Sequence, residues 1–368
     1  MRFSCHKAEL LQAVQIASRV LPSQTSEPLF LNLMLSVEEG TLSVFATQHQ
    51  VSLRRQLPVQ MSEPGRVSVP GSLLAEILQQ IQTSRAEGVD LTVDSERRIK
   101  VSSEGANYRL SGIDPEGFPQ MKEPSAEKSF TVAGSILRDL IKRVVVVNSA
   151  SAGASFDEVL LEVKDASLAF VATDSVRLAV ARHAVAAGSP DVDVRLPLVS
   201  LAELGKILPS DSDVQVSIGS HQVGFSFAQT LYVARTSDKS FPAYRSILPK
   251  DHPRYVTLDA RTFGDALKGV APLARVNKHR VRFHVEPGRL RITSTSQEVG
   301  GEAERVVDAD VKGEPIELSF NSKYILDFLG VADAEKVRMG VTAGSLPATF
   351  RPEGEERDYI YLLMPINL

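Results

Sequence analysis

Three segments of this 368-residue chain repeat one pattern in one order, and internal repetition restricts the possible folds more than any local motif. They open alike: Phe3-Ser-Cys-His-Lys-Ala-Glu-Leu10, Phe130-Thr-Val-Ala-Gly-Ser-Ile-Leu137 and Val256-Thr-Leu-Asp-Ala-Arg-Thr-Phe263. Each alternates briefly, then changes to a helical spacing that places Leu10 and Val14, Leu137 and Ile141, and Phe263 and Leu267 on one side. A change of period from 2 to 3.6 predicts a strand that leads into an amphipathic helix.

A hairpin pattern follows each opening. It reads Leu35-Ser-Val-Glu-Glu-Gly-Thr-Leu-Ser-Val-Phe-Ala-Thr47, then Leu161-Glu-Val-Lys-Asp-Ala-Ser-Leu-Ala-Phe-Val-Ala-Thr173, then Phe283-His-Val-Glu-Pro-Gly-Arg-Leu-Arg-Ile-Thr-Ser-Thr295. Alternation on both sides of a polar turn is the signature of a β-hairpin. The closing threonines lie 126 (173 − 47) and 122 (295 − 173) residues apart. A second helix is predicted after Val69-Pro70, Leu196-Pro197 and Phe320-Asn321, where Pro70 and Asn321 suit a helix start. Its apolar side takes Leu73, Leu74, Ile77 and Leu78, then Leu201 and Leu204, then Tyr324, Ile325, Phe328 and Leu329. Further strands close the units near Phe118-Pro119, Phe241-Pro242 and the C-terminus. The expected fold is α+β, in three β-rich domains with two helices each: residues 1–122, 128–249 and 253–368. Polar, proline-containing linkers, Lys122–Lys128 and Pro249–Pro253, join them.

Composition narrows the function. A net charge of −4 argues against a protein that simply coats nucleic acid, since affinity for phosphates normally shows as a basic excess. The one cysteine, Cys5, forms no disulfide within the chain and suits a reducing cytoplasm. Residues 1–12 hold His6, Lys7 and Glu9 and no apolar run of signal-peptide length, and no stretch has the ~20 apolar residues of a membrane helix. A soluble cytoplasmic protein is expected, with no membrane partner.

Catalytic patterns are missing. None of the seven histidines pairs with another His or Cys at metal-ligand spacing, so neither metal nor cofactor is expected. The pairs Asp191/Asp193, Asp211/Asp213 and Asp308/Asp310 read as turn aspartates, and no phosphate loop or dinucleotide fingerprint occurs. Cations gather instead on the first helices. These are Lys7 and Arg19 in repeat one, Arg138, Lys142 and Arg143 in repeat two, and Lys268 and Arg275 in repeat three. Lys278, His279 and Arg280 follow in repeat three. A basic surface on an acidic chain contacts phosphates without reading bases.

Four segments in order resemble one family: Ala172-Thr-Asp-Ser-Val-Arg-Leu-Ala-Val180, Ser240-Phe-Pro-Ala-Tyr-Arg-Ser-Ile-Leu-Pro249, Phe320-Asn-Ser-Lys-Tyr324 and Tyr361-Leu-Leu-Met-Pro-Ile-Asn-Leu368. They are similar to the sliding-clamp family, the β subunits of bacterial DNA polymerase III, and the resemblance covers the whole chain. It implies a non-catalytic DNA polymerase processivity factor. Two protomers of three clamp domains each join head to tail, closing a six-domain ring around double-stranded DNA at the nucleoid. Topological linkage then replaces affinity, which removes the objection from net charge.

The resemblance also implies an apolar groove for short peptide motifs of the replicative polymerase, the clamp loader ATPase, repair polymerases and mismatch-repair proteins. Its walls by position are Phe156, Thr173, Ser175, Arg177, Leu178, Pro242, Ile247, Asn321, Tyr324, Leu362, Leu363, Met364, Pro365 and Ile366. Tyr108 and Leu110 are expected to meet Leu273 across the protomer interface, and the helix cations to face DNA. Ser175-Val176 stands where the family often has Gly-His, Ser246 and Asn367 replace frequent arginines, and Gln24 occupies a loop position that often bears a DNA-touching arginine. The alternative is a three-repeat protein-interaction scaffold that never encircles DNA.

Overall fold

A computed structural model describes all residues except 23, 82–87, 126, 148–156, 355–357 and 367–368. Repeat one contributes β1 (Arg2–His6), α1 (Lys7–Ser18), β2 (Asn32–Glu38), β3 (Thr41–Thr47), β4 (Val51–Pro58) and β5 (Gln60–Glu63). It continues with β6 (Gly65–Pro70), α2 (Gly71–Gln80), β7 (Gly88–Val93), β8 (Arg98–Ser103) and β9 (Ala106–Ser111). Repeat two runs through β10 (Lys128–Ala133), α3 (Gly134–Val145), β11 (Glu158–Lys164), β12 (Ser167–Thr173) and β13 (Arg177–Ala184). It ends with β14 (Val192–Pro197), α4 (Leu198–Ile207), β15 (Asp213–Ile218), β16 (Gln222–Phe227) and β17 (Thr230–Arg235), followed by the short helix α5 (Tyr244–Ile247). Repeat three comprises β18 (Arg254–Asp259), α6 (Ala260–Val276), β19 (Arg280–Glu286), β20 (Arg289–Ser296), β21 (Gly301–Asp308) and β22 (Asp310–Lys312). Then come β23 (Ile316–Asn321), α7 (Ser322–Ala332), β24 (Lys336–Val341), β25 (Ala348–Pro352) and β26 (Asp358–Leu363).

The predicted order of strand, helix, hairpin, helix and strands is present in all three repeats. The first-helix positions Leu10, Val14, Leu137, Ile141, Phe263 and Leu267 are all buried. In α2 the expected apolar side is too wide, because Leu73 is 44% exposed while Leu74, Ile77 and Leu78 are covered. Pro70 closes β6 and caps α2 from outside, one place earlier than the usual first helical position. The hairpins use two-residue turns: Glu39-Gly40 and Asp165-Ala166 hold positive φ at both positions, matching the right-handed twist of the strands they join.

Compactness does not follow the repeats. The chain forms two compact units, Met1–Ser135 with Glu203–Ser237, and Ile136–Ala202 with Asp238–Leu368. The sheets explain why. Unit 1 holds a sheet ordered β5-β1-β7-β8-β9 and an eight-stranded sheet ordered β6-β2-β3-β4-β17-β16-β15-β10. Unit 2 holds β14-β11-β12-β13-β26-β25-β24-β18-β22 and β21-β20-β19-β23. Each repeat therefore divides into two half-sheets, and the second half of one repeat continues the first half of the repeat before it. The seams are antiparallel: β4 on β17, with Leu53 opposite Tyr232, and β13 on β26, with Leu178 opposite Leu362.

In unit 2 a run of rings joins the elements behind the β13–β26 seam. Phe263, Phe283, Phe320 and Phe350 touch in sequence at centroid distances of 5.4–6.0 Å. Phe328 of α7 stacks on Tyr359 at 5.7 Å and lies 5.5 Å from Tyr361, both in β26. Aromatic pairs add to stability beyond the area they bury. This packing fixes α7 against β26.

Candidate functional site

The β12–β13 turn is built from Thr173 to Arg177. Asp174 N–H donates to the Arg177 carbonyl at 3.1 Å, closing the turn. Asp174 Oδ1 accepts from the Val176 and Arg177 amides at 3.1 and 2.9 Å. Ser175 sits at φ +70°, in the region that favours glycine, and its N–H donates to Thr173 Oγ1 at 3.3 Å. Thr173 Oγ1 itself donates to the Arg177 carbonyl at 2.9 Å.

Successive strand residues face opposite sides, so the expected groove residues divide between two faces of the sheet. On one face Leu178 and Leu362 join Leu160, Ala169, Val171, Val180, Ile360 and Tyr244, with Phe241 and Leu248 packed against them. On the other lie Arg177, Tyr361 and Leu363. Leu363 is fully buried there, which corrects its assignment as a groove wall: its side chain belongs to the core behind the sheet. Phe156 lies outside the described residues.

Arg177 is nearly fully buried, and its charge is consumed internally. Nε donates to Asp174 Oδ2 at 2.8 Å, and Nη1 donates to Asp327 Oδ2 at 2.7 Å and to the Tyr361 hydroxyl at 3.2 Å. Its guanidinium carbon lies 4.1 Å from the centre of the Tyr324 ring. Burial alone would lower the guanidinium pKa, but the interactions with Tyr361, Asp174 and Asp327 outweigh it and raise it. Arg177 is thus a strut between the turn and α7, and offers little charge to a ligand. Asn321 caps α7, its side chain accepting from Lys323 N–H at 3.0 Å.

The rim of the apolar face is exposed. Ile247 at 47%, Val176 at 41% and Met364 at 37% present aliphatic surface, and Pro242 is exposed beside them in sequence. Met364 N–H donates to the Val176 carbonyl at 2.8 Å, and Ile366 N–H to the Ser319 carbonyl at 2.7 Å, which straps the C-terminal segment down past Pro365. Val176 was not expected; an aliphatic residue at the tip of a polar turn is the signal that marks it. Glu162 ties α5 to the sheet, accepting from Tyr244 Oη at 3.0 Å and Arg245 Nη1 at 2.9 Å. Burial would raise the Glu162 pKa, but the bonds from Arg245 and Tyr244 hold it below the usual carboxylate range. Ser246, in place of the frequent arginine, turns its hydroxyl to the Ala243 carbonyl at 2.7 Å.

The helix cations differ in what they present. Lys142, Lys268 and Arg275 are exposed, Lys268 beside Asp265 at 3.5 Å. Arg19 lies 4.0 Å from Glu203, Arg138 is half-buried, and Lys7 donates to the Ile81 carbonyl. Arg143 corrects the expectation of a DNA-facing side chain. It is 1% exposed, ion-paired with Asp139 at 2.9 Å, and 5.2 Å from the Tyr359 ring, whose hydroxyl donates to the Arg143 carbonyl. Tyr108 and Leu110 are half-buried on β9, an edge strand, and Leu273 is half-buried on α6.

Models of the DNA polymerase III beta subunit match residues 1–122 as its N-terminal domain, 131–243 as its central domain and 245–367 as its C-terminal domain. The chain is 28% identical over 373 residues to the beta sliding clamp of Escherichia coli K12, and 26% over 382 residues to that of Synechococcus elongatus. Both alignments cover all of each chain. It superposes on the crystal structure of a Pseudomonas aeruginosa sliding clamp bound to griselimycin with a TM-score of 0.93, 27% identity and complete coverage of both chains.

Removing a buried ion-paired arginine leaves Asp139 without its partner, which typically costs about 3–5 kcal/mol. Arg143→Ala should therefore lower the denaturation midpoint sharply, while Lys142→Ala on the same helix should leave stability within about 0.5 kcal/mol. Urea titration of both variants, followed by circular dichroism, checks this contrast.

Proposed function

The chain belongs to the DNA polymerase III beta subunit family, the sliding clamps that act as polymerase processivity factors, and from that premise we propose that two protomers close head to tail around duplex DNA. The reading assigns three domains, 1–122, 128–249 and 253–368, to each protomer and six to the ring. One observation carries it. Strand β21 occupies in repeat three the place that β4 and β13 occupy in repeats one and two, yet it is a sheet edge. Strand β9 occupies in repeat one the place of β17 and β26, and it is an edge as well. Among the described residues each strand lacks the neighbour that its equivalents have. Pairing β21 with the partner's β9 supplies it, and a heterologous contact that closes makes a ring.

The side chains suit that pairing. Ser52, opposite Thr47, faces Val233 in the β4–β17 seam, and Glu302, opposite Thr295, is its equivalent. Val233 is the fourth residue of β17, as Arg109 is of β9. Transferring the register sets Glu302 against Arg109, Ala303 against Tyr108 and Gly301 against Leu110. Leu273 Cδ2 lies 2.9 Å from where a Cβ on Gly301 would stand, so Leu110 then meets Leu273. Each hydrogen bond along this six-residue edge contributes about 1 kcal/mol net, and the apolar contact adds to it.

Within the ring, the exposed cations Arg19 after α1, Lys142 of α3, and Lys268 and Arg275 of α6 face phosphates without reading sequence. The Leu178–Leu362 face, rimmed by Val176, Ile247 and Met364, takes an aliphatic peptide motif. Its ligands are segments of the replicative polymerase, the clamp loader ATPase, repair polymerases and mismatch-repair proteins. DNA is held by topology, with no cofactor, in the cytoplasm at the nucleoid.

Arg109→Glu should shift the protein from dimer to monomer in sedimentation velocity at micromolar concentration, and adding Glu302→Arg should restore the dimer; an unchanged dimer in Arg109→Glu refutes the register. After loading by an ATP-driven clamp loader, the protein should stay on nicked circular DNA through a gel-filtration column and leave once the circle is linearised. Loss from intact circles would support the scaffold reading instead. Deleting Met364–Leu368 should abolish binding of a polymerase tail peptide while the dimer persists, measured by fluorescence anisotropy alongside sedimentation.

A further inference from the structure

Unit 1 carries its own version of the β12–β13 turn, and that turn borders a cleft of about 310 Å³. The β3–β4 turn follows Thr47 as the β12–β13 turn follows Thr173. Gln48 N–H donates to the Val51 carbonyl at 2.8 Å, as Asp174 N–H does to Arg177. Strand β17 runs beside β4 as β26 runs beside β13, and Arg235 N–H donates to the Gln50 carbonyl at 2.9 Å, as Met364 N–H does to Val176. Pro119 lines the cleft and stands in the Phe-Pro pair that recurs at Pro242. Phe30 also lines it, and the spacing of Phe30 to Phe156, 126 residues (156 − 30), is that of Thr47 to Thr173. Cleft and groove are thus built at equivalent positions of the repeat.

Two substitutions change the chemistry. The equivalent of Arg177 is Val51, which is buried, so the polar strut behind the sheet in unit 2 has an aliphatic counterpart here. The equivalent of Met364 is Arg235, which is exposed at the edge of the cleft with Lys122. Among the described residues no carboxylate lines the cleft, and the ion pairs include neither Lys122 nor Arg235. The acids beside it are engaged elsewhere: Glu123, next to Lys122 in the chain, is ion-paired with Arg54, and Glu27 lies 3.4 Å from His49 Nε2. The lining has an apolar part: Phe30 and Val233 are buried, and the His49 ring meets Phe30 edge-on at 5.0 Å.

We propose that this cleft is a second docking site, for an extended acidic segment of another protein that carries one aromatic side chain. The aromatic ring sits over Phe30 and Val233, where offset or edge-on ring contact is favourable. Flanking carboxylates meet Lys122 and Arg235, which among the described residues form no ion pair. The volume matches the lower end of ligand-sized pockets, enough for one side chain and its neighbouring backbone. The kind of ligand rests on reading the unit 2 face as a peptide groove; the location rests on strand register and charge alone.

The probe is a fluorescein-labelled hexapeptide with one phenylalanine flanked on both sides by glutamates, titrated with the full chain and followed by anisotropy. Binding should weaken about tenfold or more in the double variant Lys122→Glu/Arg235→Glu, and more steeply with salt in the wild type than in the variant. It should survive deletion of Met364–Leu368, and a lysine-flanked analogue should bind at least tenfold more weakly than the acidic probe. Circular dichroism melts confirm that the double variant, changed only at exposed positions, is folded. The proposal is overturned if the wild type fails to bind the acidic probe up to about 1 mM. It is equally overturned if the double variant binds as tightly, or if the lysine-flanked analogue binds comparably. Loss of binding on tail deletion alone would assign the probe to the unit 2 groove. Failure here leaves the polymerase-peptide result of the tail deletion intact, so the two readings fall separately.

Discussion

A β-strand at the edge of a sheet exposes a row of N–H and C=O groups that seek a partner, and this molecule is organised by how it supplies one. In repeats one and two the first half-sheet ends in such an edge, β4 or β13, and the last strand of the next repeat completes it. The β4–β17 and β13–β26 seams turn separate half-sheets into the eight- and nine-stranded sheets of the two units. That continuity is why the middle repeat is divided between units instead of forming one of its own. It also leaves β9 and β21 as the pair of equivalent strands without their seam partner, which is the physical basis of the proposed ring.

The seams position function as well as fold. At the β13–β26 seam, the alternation of side chains sends Leu178 and Leu362 to one face and Arg177, Tyr361 and Leu363 to the other. One face is the apolar cluster of the proposed peptide groove; the other holds a buried polar strut. A buried guanidinium is tolerable only when its donors are satisfied, and Asp174, Asp327 and Tyr361 satisfy them. The strut holds the turn against α7, so the proposed groove is preorganised. Preorganisation lowers the entropic cost of binding a short peptide. At the β4–β17 seam the same architecture carries Val51 and Arg235 instead, and the result is a cleft with free positive charge at its edge.

Much of the fold was legible because it rests on periodicity. Leu10 and Val14, and their equivalents, announced a helix side that the structure buries, and alternation about a polar turn announced the hairpins, whose two-residue turns the structure shows. Other features depend on which elements meet in space. Nothing local distinguishes Arg143 from Lys142 as a helix cation, and only the approach of Tyr359, more than 200 residues away, buries one and leaves the other in solvent. Leu73 reads as core by spacing, yet the side of α2 that meets the sheet is too narrow to cover it. Leu363 and Leu362 are indistinguishable as neighbours in a strand until the register assigns them to opposite faces.

The sequence by itself determined the repeating unit, its elements and the family, because hydrophobic period and turn chemistry are local properties that the chain carries everywhere. Tertiary structure alone decided which repeat halves join, which arginines are struts and which are surface, and which of two equivalent turns borders a neutral groove or a cationic cleft. Those outcomes depend on strand register and burial, and both arise only when segments far apart in the chain are brought side by side.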